Sequence, residues 1–408
     1  MCDRLFLIII TLSVVFSLYN ETEACTTAVL SGKATVDGRP ILLKHRDSDF
    51  FQNKLMYFSD GQYNYIGLVN SEDIEGKEVW SGANSVGFAI MNAASYNLND
   101  NDTTKLKDQE GIIMKVALQS CKTVDDFGNL LDNWPKPMGV EANFGVIDAN
   151  GGAAYFETTN FGYTIFDVTD PAVAPDGYLI RTNYSTTGSP DGGYGYIRYT
   201  TAESLLKIGK EKNILSYRYL LQDVSRSLRH SLLNLNLKDK PYPNEDDDFF
   251  VHFQDYIPRH SSVTTMAVQG VSEGENPGFT TIWTILGFPL CSVTLPTWVL
   301  GGQDLPTLLI SDETGNAPLC NMALQLKERC FPIARGSGWK YMNLTALLSD
   351  QSNGILQKLL PIENSILNMT EKHLSKWRNS DIERSKISSL YRQLTEYLTL
   401  EYNSKFGL

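Results

Sequence analysis

Three tight-turn motifs, each lying between two short β-prone segments, constrain the fold of this chain more than any other feature of its sequence. The segments and their turns are 26–30 and 40–44 around Asp37-Gly38, 79–82 and 86–91 around Asn84-Ser85, and 144–148 and 153–158 around Asn150-Gly151-Gly152. Asp-Gly and Asn-Gly dipeptides tolerate the positive φ angles of tight hairpin loops. The pattern therefore predicts antiparallel hairpins.

Helical patterns lie between and after these hairpins. The predicted helices are 111–121, a second helix capped by Thr123 and Asp126 that ends near Trp134, 201–235 with a break at 209–213, 344–359 and 382–402. Two further strands are predicted over 262–271 and 280–286. Hairpins combined with segregated helices predict an α+β fold over 25–342 and a C-terminal helical extension over 343–408.

The first 24 residues predict export. Residues 5–18 form an apolar run of 14 residues, which is too short to cross a bilayer as a helix and typical of a secretory signal peptide. Thr22 and Ala24 place small residues three before and one before Cys25. Cleavage after residue 24 would make Cys25 the first residue of an exported protein. The alternatives are an anchor that stays attached, and a lipid-modified Cys25, which the charged Glu23 disfavours.

The charge of the chain limits its partners. With a net charge of -12, a pI near 5.0 and no basic run, the sequence argues against a nucleic-acid partner, whose phosphates require a clustered positive face. The acidic run 245–248 is interpreted as a solvated loop. The five histidines lack paired metal-ligand spacing, and no metal or organic cofactor is predicted. A homo-oligomer is compatible with the sequence.

The cysteines left after cleavage are odd in number. They are Cys25, Cys121, Cys291, Cys320 and Cys330. An unpaired thiol in an exported protein suggests a reactive group. Cys320 and Cys330 are close enough in sequence to bridge, but spacing alone does not fix the connectivity.

A cysteine at a mature N-terminus carries two catalytic groups. The thiolate is a strong nucleophile, and the free α-amine, with an ordinary pKa of about 8, can accept the thiol proton near neutral pH. On Cys25 alone, an ordinary small residue or half of a disulfide explains the position as well. The residues around it favour the catalytic interpretation.

Three short motifs occur in a characteristic order. They are Cys25-Thr26-Thr27, then Leu42-Leu43-Lys44-His45-Arg46-Asp47, then Arg181-Thr182-Asn183-Tyr184-Ser185. Together they resemble the N-terminal nucleophile hydrolases of the choloylglycine hydrolase, penicillin V acylase and acyl-CoA:6-aminopenicillanic acid acyltransferase type. The resemblance covers the chain from Cys25 to about Leu309. It implies a four-layer αββα sandwich of two antiparallel sheets between helices.

The resemblance also implies roles for individual residues. Asp47 would hold the α-amine of Cys25 by a charge-assisted hydrogen bond. Asn183 would donate its side-chain amide to the developing oxyanion, and Asn92 falls where the family places a second oxyanion-hole residue. For Asp47 a turn-capping role is the alternative, and for Asn92 a buried structural one.

The basic residues depart from the family pattern. Lys44 takes the position of the family's arginine beside the nucleophile, and lysine does not reproduce a bidentate fork. Arg46 is expected on the opposite face of the strand. Arg198 resembles a late family arginine, with Arg259 as a second candidate; both could instead form surface ion pairs.

The predicted reaction is hydrolysis of a linear amide in a small acyl substrate through a thioester on Cys25, or acyl transfer if an amine replaces water. Loop 97–110 is expected to set the specificity. An inactive exported binding protein on the same scaffold is one alternative. A protease that pairs Cys25 with His45 or His260 is another.

Overall fold

The computed structural model describes residues 24–378 and 382–408. The predicted signal peptide, residues 1–24, thus lies outside the described residues except for Ala24. The strands are β1 (Cys25–Leu30), β2 (Ile41–Asp47), β3 (Asn53–Phe58), β4 (Tyr65–Asn70), β5 (Ser81–Asn84), β6 (Ala89–Ala94), β7 (Ala142–Ile147), β8 (Ala153–Thr158), β9 (Tyr163–Asp167), β10 (Tyr178–Arg181), β11 (Arg229–His230), β12 (Leu235–Asn236), β13 (Phe250–His252), β14 (Ser262–Gln269), β15 (Thr281–Leu286), β16 (Thr294–Thr297) and β17 (Tyr341–Asn343).

The helices flank these strands in the sequence and enclose them in space. They are α1 (Glu110–Ser120), α2 (Val124–Asn133), α3 (Tyr196–Glu211), α4 (Tyr217–Tyr219), α5 (Pro318–Cys330), α6 (Leu344–Leu347), α7 (Ile355–Trp377) and α8 (Arg384–Phe406). A π-helical turn, Leu220–Val224, continues α4. Among the residues that the structure describes, no helix is both long and apolar enough to cross a membrane.

Two large antiparallel sheets form the centre of the molecule. One has the strand order β10-β1-β2-β14-β15-β16, and the other runs from β3 to β9 in chain order. Strand β1 packs on β6, β7 and β8, so the sheets lie face to face. Helix α1 covers the outer face of the seven-stranded sheet, while α3, α5 and α7 cover the six-stranded one. The predicted α+β class and the αββα layering are confirmed.

The sheets approach each other closely near the end of β1. A Cβ atom added to Gly145 on β7 would lie 2.8 Å from Val29 of β1 and 2.3 Å from Met91 of β6. Real Cβ contacts are longer than this, so glycine permits the close packing of the two sheets. The interface that holds β1 is therefore tightly defined.

A capping box fixes the residue at which α2, the second predicted helix, begins. Thr123 accepts a hydrogen bond from the Asp126 N–H at 3.1 Å, and the Asp126 carboxylate accepts one from the Thr123 N–H at 2.9 Å. This capping box satisfies backbone donors that the first turn leaves open. Phe127 and Leu131 on the next turns are fully buried against the seven-stranded sheet.

Candidate active site

Cys25 is the first residue of β1, an inner strand of the six-stranded sheet. It pairs with Arg46 across the β1–β2 ladder, and Thr27 pairs with Lys44. The Thr27 hydroxyl accepts a hydrogen bond from Tyr155 of the opposite sheet at 2.9 Å. Since side chains two apart share a face, the Cys25 thiol also points towards the seven-stranded sheet. It is only 6% exposed.

The main chain at Cys25 is held on both sides. Its N–H donates to Asn183 Oδ1 at 3.0 Å, and its carbonyl accepts from Arg198 Nη1 at 2.6 Å. The preceding carbonyl, that of Ala24, accepts from the Asp47 N–H at 2.9 Å. The nitrogen bound by Asn183 is the peptide nitrogen of the Ala24-Cys25 bond. Cleavage of that bond would turn it into the α-amine.

Asn183 contacts Cys25 through a different atom from the one expected. Its Oδ1 atom accepts from both the Cys25 N–H and Arg198 Nη2, the latter at 2.8 Å, while its Nδ2 donates to the Ala94 carbonyl at 2.9 Å. The side chain thus anchors the nitrogen of Cys25, whereas the sequence predicted a donor to the oxyanion. Asn183 and Arg198 are both completely enclosed.

Lys44 lies on the same side of the sheet as the Cys25 thiol. Its Nζ donates to Asn92 Oδ1 at 2.5 Å and to the Trp80 carbonyl at 2.7 Å. Arg46 lies over the Trp80 ring at 4.8 Å, and Lys44 Nζ is 5.9 Å from the same ring. Arg46 was expected on the opposite face, and this is wrong because residues two apart on a strand share a face. Two cations therefore lie on the thiol side of β2.

The electrostatics of the thiol reflect this placement. Burial raises the pKa of Cys25 above its ordinary value, and the charges of Lys44 and Arg46 oppose that rise. The Asp47 carboxylate adds to the increase, while the Asp47 N–H counteracts it. Desolvation disfavours the thiolate and nearby cations favour it. The two basic side chains are thus the charged groups that partly offset the effect of burial on the pKa of the Cys25 thiol.

Asp47 lies near Cys25 but binds other partners than the one expected. Its carboxylate accepts from Ser262 Oγ at 2.6 Å and from Arg259 Nε at 2.9 Å. The bonded acceptor of the Cys25 nitrogen is Asn183. Arg259, the second arginine candidate, therefore contacts Asp47, whereas Arg198 contacts Cys25 and Asn183 directly.

His45 is not arranged as the base of a Cys-His pair. His45 pairs with Thr26 in the β1–β2 ladder, so its side chain lies on the opposite face of the sheet from the Cys25 thiol. Its ring nitrogens lie 3.0 Å from Thr265 Oγ1 and 2.8 Å from Ser262 Oγ. Burial lowers the pKa of His45 to about 4. It is therefore a neutral structural residue near neutral pH.

A cavity of about 670 Å³ adjoins this cluster. Trp80, Asn92 and Ala94 belong both to its wall and to the hydrogen-bond network of Lys44 and Asn183. The remaining lining residues are Asp49, Phe50, Glu78, Ser95, Tyr96, Asn99, Lys107, Asp108, Glu110, Gly139, Val140, Glu141 and Asn160. Several of them come from the predicted specificity loop 97–110. A small acyl amide fits a cavity of this size.

The remaining cysteines are unlike Cys25. All five cysteines among residues 24–378 and 382–408 are free thiols. Cys330 lies with its Sγ 3.6 Å from that of Cys291, and Cys320 donates to the Phe51 carbonyl. The sequence left a Cys320–Cys330 bridge open as one possibility; the fold brings Cys291, and not Cys320, next to Cys330. Within the described ranges, no cluster of three or more metal-binding side chains occurs.

Sequence reasoning missed Trp80, which directly precedes β5. Its ring contacts the side chains of both Lys44 and Arg46. No motif surrounds it, since its role depends on how the seven-stranded sheet packs over β2. The role of Thr26, whose hydroxyl accepts from Arg198 Nη1 at 3.0 Å, was also missed. Its place next to Cys25 is the signal that could have identified it.

No protein-family model matches the chain, and no curated protein matches it in sequence. Solved structures that are similar include an N-acylethanolamine-hydrolyzing acid amidase ortholog from Caenorhabditis elegans, with 13% identity over 62% of this chain and 94% of that one and a TM-score of 0.42. A variant of conjugated bile acid hydrolase from Clostridium perfringens has 11% identity over 67% and 92%, with a TM-score of 0.40.

Penicillin V acylase from Agrobacterium tumefaciens has 13% identity over 67% of this chain and 86% of that one, with a TM-score of 0.39. These are kinds of hydrolase that the sequence motifs resemble. At such identities and TM-scores they lead to no conclusion about activity, which we infer from the residues of the site.

Proposed function

We propose that this protein is an exported amide hydrolase whose nucleophile is Cys25, exposed as the N-terminal residue after cleavage of residues 1–24. The observation that supports this most is the position of the Cys25 nitrogen, bonded to Asn183 at 3.0 Å, while the thiol of the same residue faces Lys44 and Arg46. Export is inferred from the short apolar run over 5–18.

The first half of the reaction forms a thioester. The α-amine of Cys25 takes the thiol proton, and the thiolate attacks the carbonyl carbon of the amide. Lys44 and Arg46 stabilise the thiolate against the cost of burial. The resulting ammonium gives its proton to the leaving nitrogen as the C–N bond breaks.

Asn92 is the better candidate for the oxyanion donor. Its Oδ1 is bonded to Lys44, which leaves the amide NH₂ group as the donor that it can offer to a substrate in the cavity. Asn183, with Arg198 behind it, instead fixes the α-amine. A preorganised oxyanion donor lowers the barrier by about 3 to 4 kcal/mol.

The second half of the reaction releases the acid. A water molecule, deprotonated by the α-amine, attacks the thioester and the thiolate leaves. If an amine takes the place of water, the same steps transfer the acyl group. The balance between hydrolysis and transfer depends on which nucleophile enters the cavity.

The test begins with the mature N-terminus. Mass spectrometry of the purified protein should give Cys25 as the first residue, and a panel of acyl amides should then reveal a substrate. Cys25→Ala should abolish turnover, whereas Cys121→Ala, which removes another buried thiol at the end of α1, should keep it. Hydrolysis by mature Cys25→Ala protein would refute the mechanism.

The alternatives give different results in the same experiment. A protein that retains residues before Cys25 should be inactive, since its α-amine is tied up in a peptide bond. Activity of this extended form would favour a Cys-His protease. An N-terminus other than Cys25, or Cys25 in a disulfide, would favour a binding protein.

A further inference from the structure

Asn183, which accepts a hydrogen bond from the Cys25 nitrogen, lies in a loop outside the hydrogen-bond ladder of the six-stranded sheet. Asn183 follows β10, which lies at the edge of the six-stranded sheet, where its neighbour among the described strands is β1. Among the residues that the structure describes, the pairing of β10 with β1 ends at Arg181, so the loop that follows is outside the sheet ladder. Asn183 instead forms one isolated bridge, to Tyr194. Other groups must therefore define where Asn183 lies.

One carboxylate from the opposite sheet binds the chain on both sides of Asn183. Glu157 on β8 accepts from Arg181 Nε at 2.7 Å, from the Thr186 N–H at 2.9 Å and from the Thr187 N–H at 2.7 Å. The hydroxyls of Thr186 and Thr187 donate to it as well, at 2.8 and 2.5 Å. Both carboxylate oxygens are used. Five hydrogen bonds thus join a single side chain to both ends of the loop.

Glu157 is charged in this setting. It is 1% exposed, and burial raises its pKa, but Arg181 and the donors of Thr186 and Thr187 more than offset this, so its pKa lies below the ordinary value. Hydrogen bonds to an ionised acceptor are about twice as strong as neutral ones. A glutamine here would keep one acceptor oxygen and turn an NH₂ group towards donors.

Two buried amides of the seven-stranded side hold the middle of the same loop. Asn97 accepts from the Ser185 N–H at 2.8 Å and donates to the Ser185 carbonyl at 3.0 Å. Asn143 donates to the Tyr184 carbonyl at 3.2 Å and accepts from Ser185 Oγ at 2.7 Å. The position of Asn183 is therefore set from the sheet opposite to the one that carries Cys25.

We propose that Glu157 is a positioning residue of the active site, which holds the Asn183 loop of the six-stranded sheet so that Asn183 meets the nitrogen of Cys25. This inference rests on the proposed function. Glu157 does not line the cavity, so its loss should affect the chemical step more than substrate binding. Misplacing a reacting group by about 1 Å can lower a rate about 100-fold.

The chain offers a matched control for the loss of a buried ion pair. Glu363 on α7 binds Arg226 through two hydrogen bonds of 2.6 Å and accepts from the Thr294 N–H at 2.8 Å, with both charged side chains 1% exposed. Glu363→Gln should therefore disturb stability much as Glu157→Gln does. Unlike Glu157, Glu363 lies on the outer, helix-covered side of the six-stranded sheet.

The experiment compares kcat, KM and thiol reactivity of the mature Glu157→Gln and Glu363→Gln proteins. We expect kcat to fall about 10- to 100-fold in Glu157→Gln, with KM within about twofold, and both values to stay near wild type in Glu363→Gln. The rate of Cys25 alkylation by iodoacetamide at pH 7 should change about threefold or more in Glu157→Gln only, which corresponds to half a pKa unit.

Two other results would count against the proposals. Equal kcat and equal alkylation rates in the two variants would overturn the proposal. If the wild type shows no turnover, the proposed function fails, and the alkylation comparison still decides the role of Glu157. If Glu157→Gln does not fold, Thr187→Val replaces it, because the Thr187 hydroxyl donates to Glu157. Thr314→Val is then the control, because the Thr314 hydroxyl donates to the carboxylate of Asp312, a surface residue.

Discussion

Arg46 lies directly opposite Cys25 in the β1–β2 ladder, and with Lys44 two residues earlier it places two cations on the face of the sheet that carries the Cys25 thiol. Both contact Trp80, and both lower the pKa of the Cys25 thiol, which burial raises. The site therefore balances a low-polarity environment against a cationic one. Lys44 is the stronger of the two influences.

Replacing Lys44 should make the thiol less reactive. In Lys44→Gln the pKa of Cys25 should rise further, because an opposing cation is lost, and the rate of alkylation at pH 7 should fall about tenfold or more. Lys44→Arg should keep most of the reactivity. Lys54→Gln is the matched control, since Lys54 is also a buried lysine on a strand and bonds to the Ser71 carbonyl. An unchanged pH profile of alkylation in Lys44→Gln would contradict this account.

Much of the strand pattern followed from the sequence because turn residues and alternation are local signals. The strand predicted over 153–158 has the same bounds in the structure, and Gly38 and Gly151 have positive φ angles of 74° and 86°. Strands β3, β4, β9 and β10 were missed. β3 pairs with β4 across a loop that contains Asp60-Gly61, and β8 pairs with β9 across the short loop 159–162, so both hairpins have local turn signals that were overlooked. β10 instead pairs with β1, which lies far earlier in the chain, and no short motif marks that pairing.

The helical prediction over 201–235 was only partly right. Helix α3 begins earlier, at Tyr196, and beyond Leu220–Val224 the chain leaves helical geometry to form β11 and β12. Arg226 explains the change: it is completely buried, bound to Glu363 on α7 and to main-chain carbonyls. A tertiary contact here outweighs local propensity.

The C-terminal helices also differ from the prediction. The helix expected to end at 359 is split, with α6 first, and α7 then continues to Trp377 through Pro361. A proline inside a helix removes one hydrogen bond. Burial of Leu359, Ile362 and Ile366 along the same face compensates for this loss.

The sequence was a better guide to which residues lie near Cys25 than to the hydrogen bonds between them. The fold brings together Lys44, Asp47, Asn92, Asn183 and Arg198 around Cys25, as their order in the motifs implied. Which atom bonds to which depends on packing between two sheets, and one sequence does not encode that locally. Hence Asn183, and not Asp47, accepts from the Cys25 nitrogen.

The buried pair of Arg226 and Glu363 should matter for stability. Glu363→Ala leaves a buried guanidinium without its carboxylate, and we expect the free energy of unfolding to fall by about 3 to 5 kcal/mol. Glu75→Ala, which removes an ion pair that lies in solvent, should have no measurable effect. Urea unfolding of both variants measures the difference. Equal losses would show that burial does not govern the strength of these pairs.

Stability should also fall in mild acid because of His45. Its pKa is about 4 in the folded protein, whereas the unfolded chain takes up the proton near pH 6.5. The unfolded state therefore binds more protons between these values, and the folded state should lose up to about 3 kcal/mol as pH falls from 6.5 to 4. Denaturant unfolding at several pH values measures this loss.

A matched substitution isolates the contribution of His45. His45→Gln keeps a polar partner for Ser262 and Thr265 but does not titrate, so its stability should depend less on pH in this window. His252→Gln, at an exposed histidine, should leave the pH dependence as it is. If His45→Gln and wild-type protein show the same slope between pH 6.5 and 4, His45 is not the titrating group.

The cavity lining predicts a preference among amide substrates. Its wall carries the carboxylates of Asp49, Glu78, Asp108, Glu110 and Glu141 but only one ammonium group, that of Lys107. An amide with a positively charged group should therefore have a KM about two- to fivefold lower than a matched uncharged amide, and the difference should shrink as salt is added.

Asp49→Asn tests this preference directly, because Asp49 is an exposed carboxylate at the cavity wall. The variant should lose part of the advantage of the cationic amide while its kcat for the uncharged amide stays the same. Asp125→Asn makes the same change of charge on α2, away from this cavity, and controls for the net charge of the protein. A preference that both variants lose equally would be a property of the whole surface, since long-range attraction depends on net charge, whereas a preference lost only in Asp49→Asn belongs to the cavity.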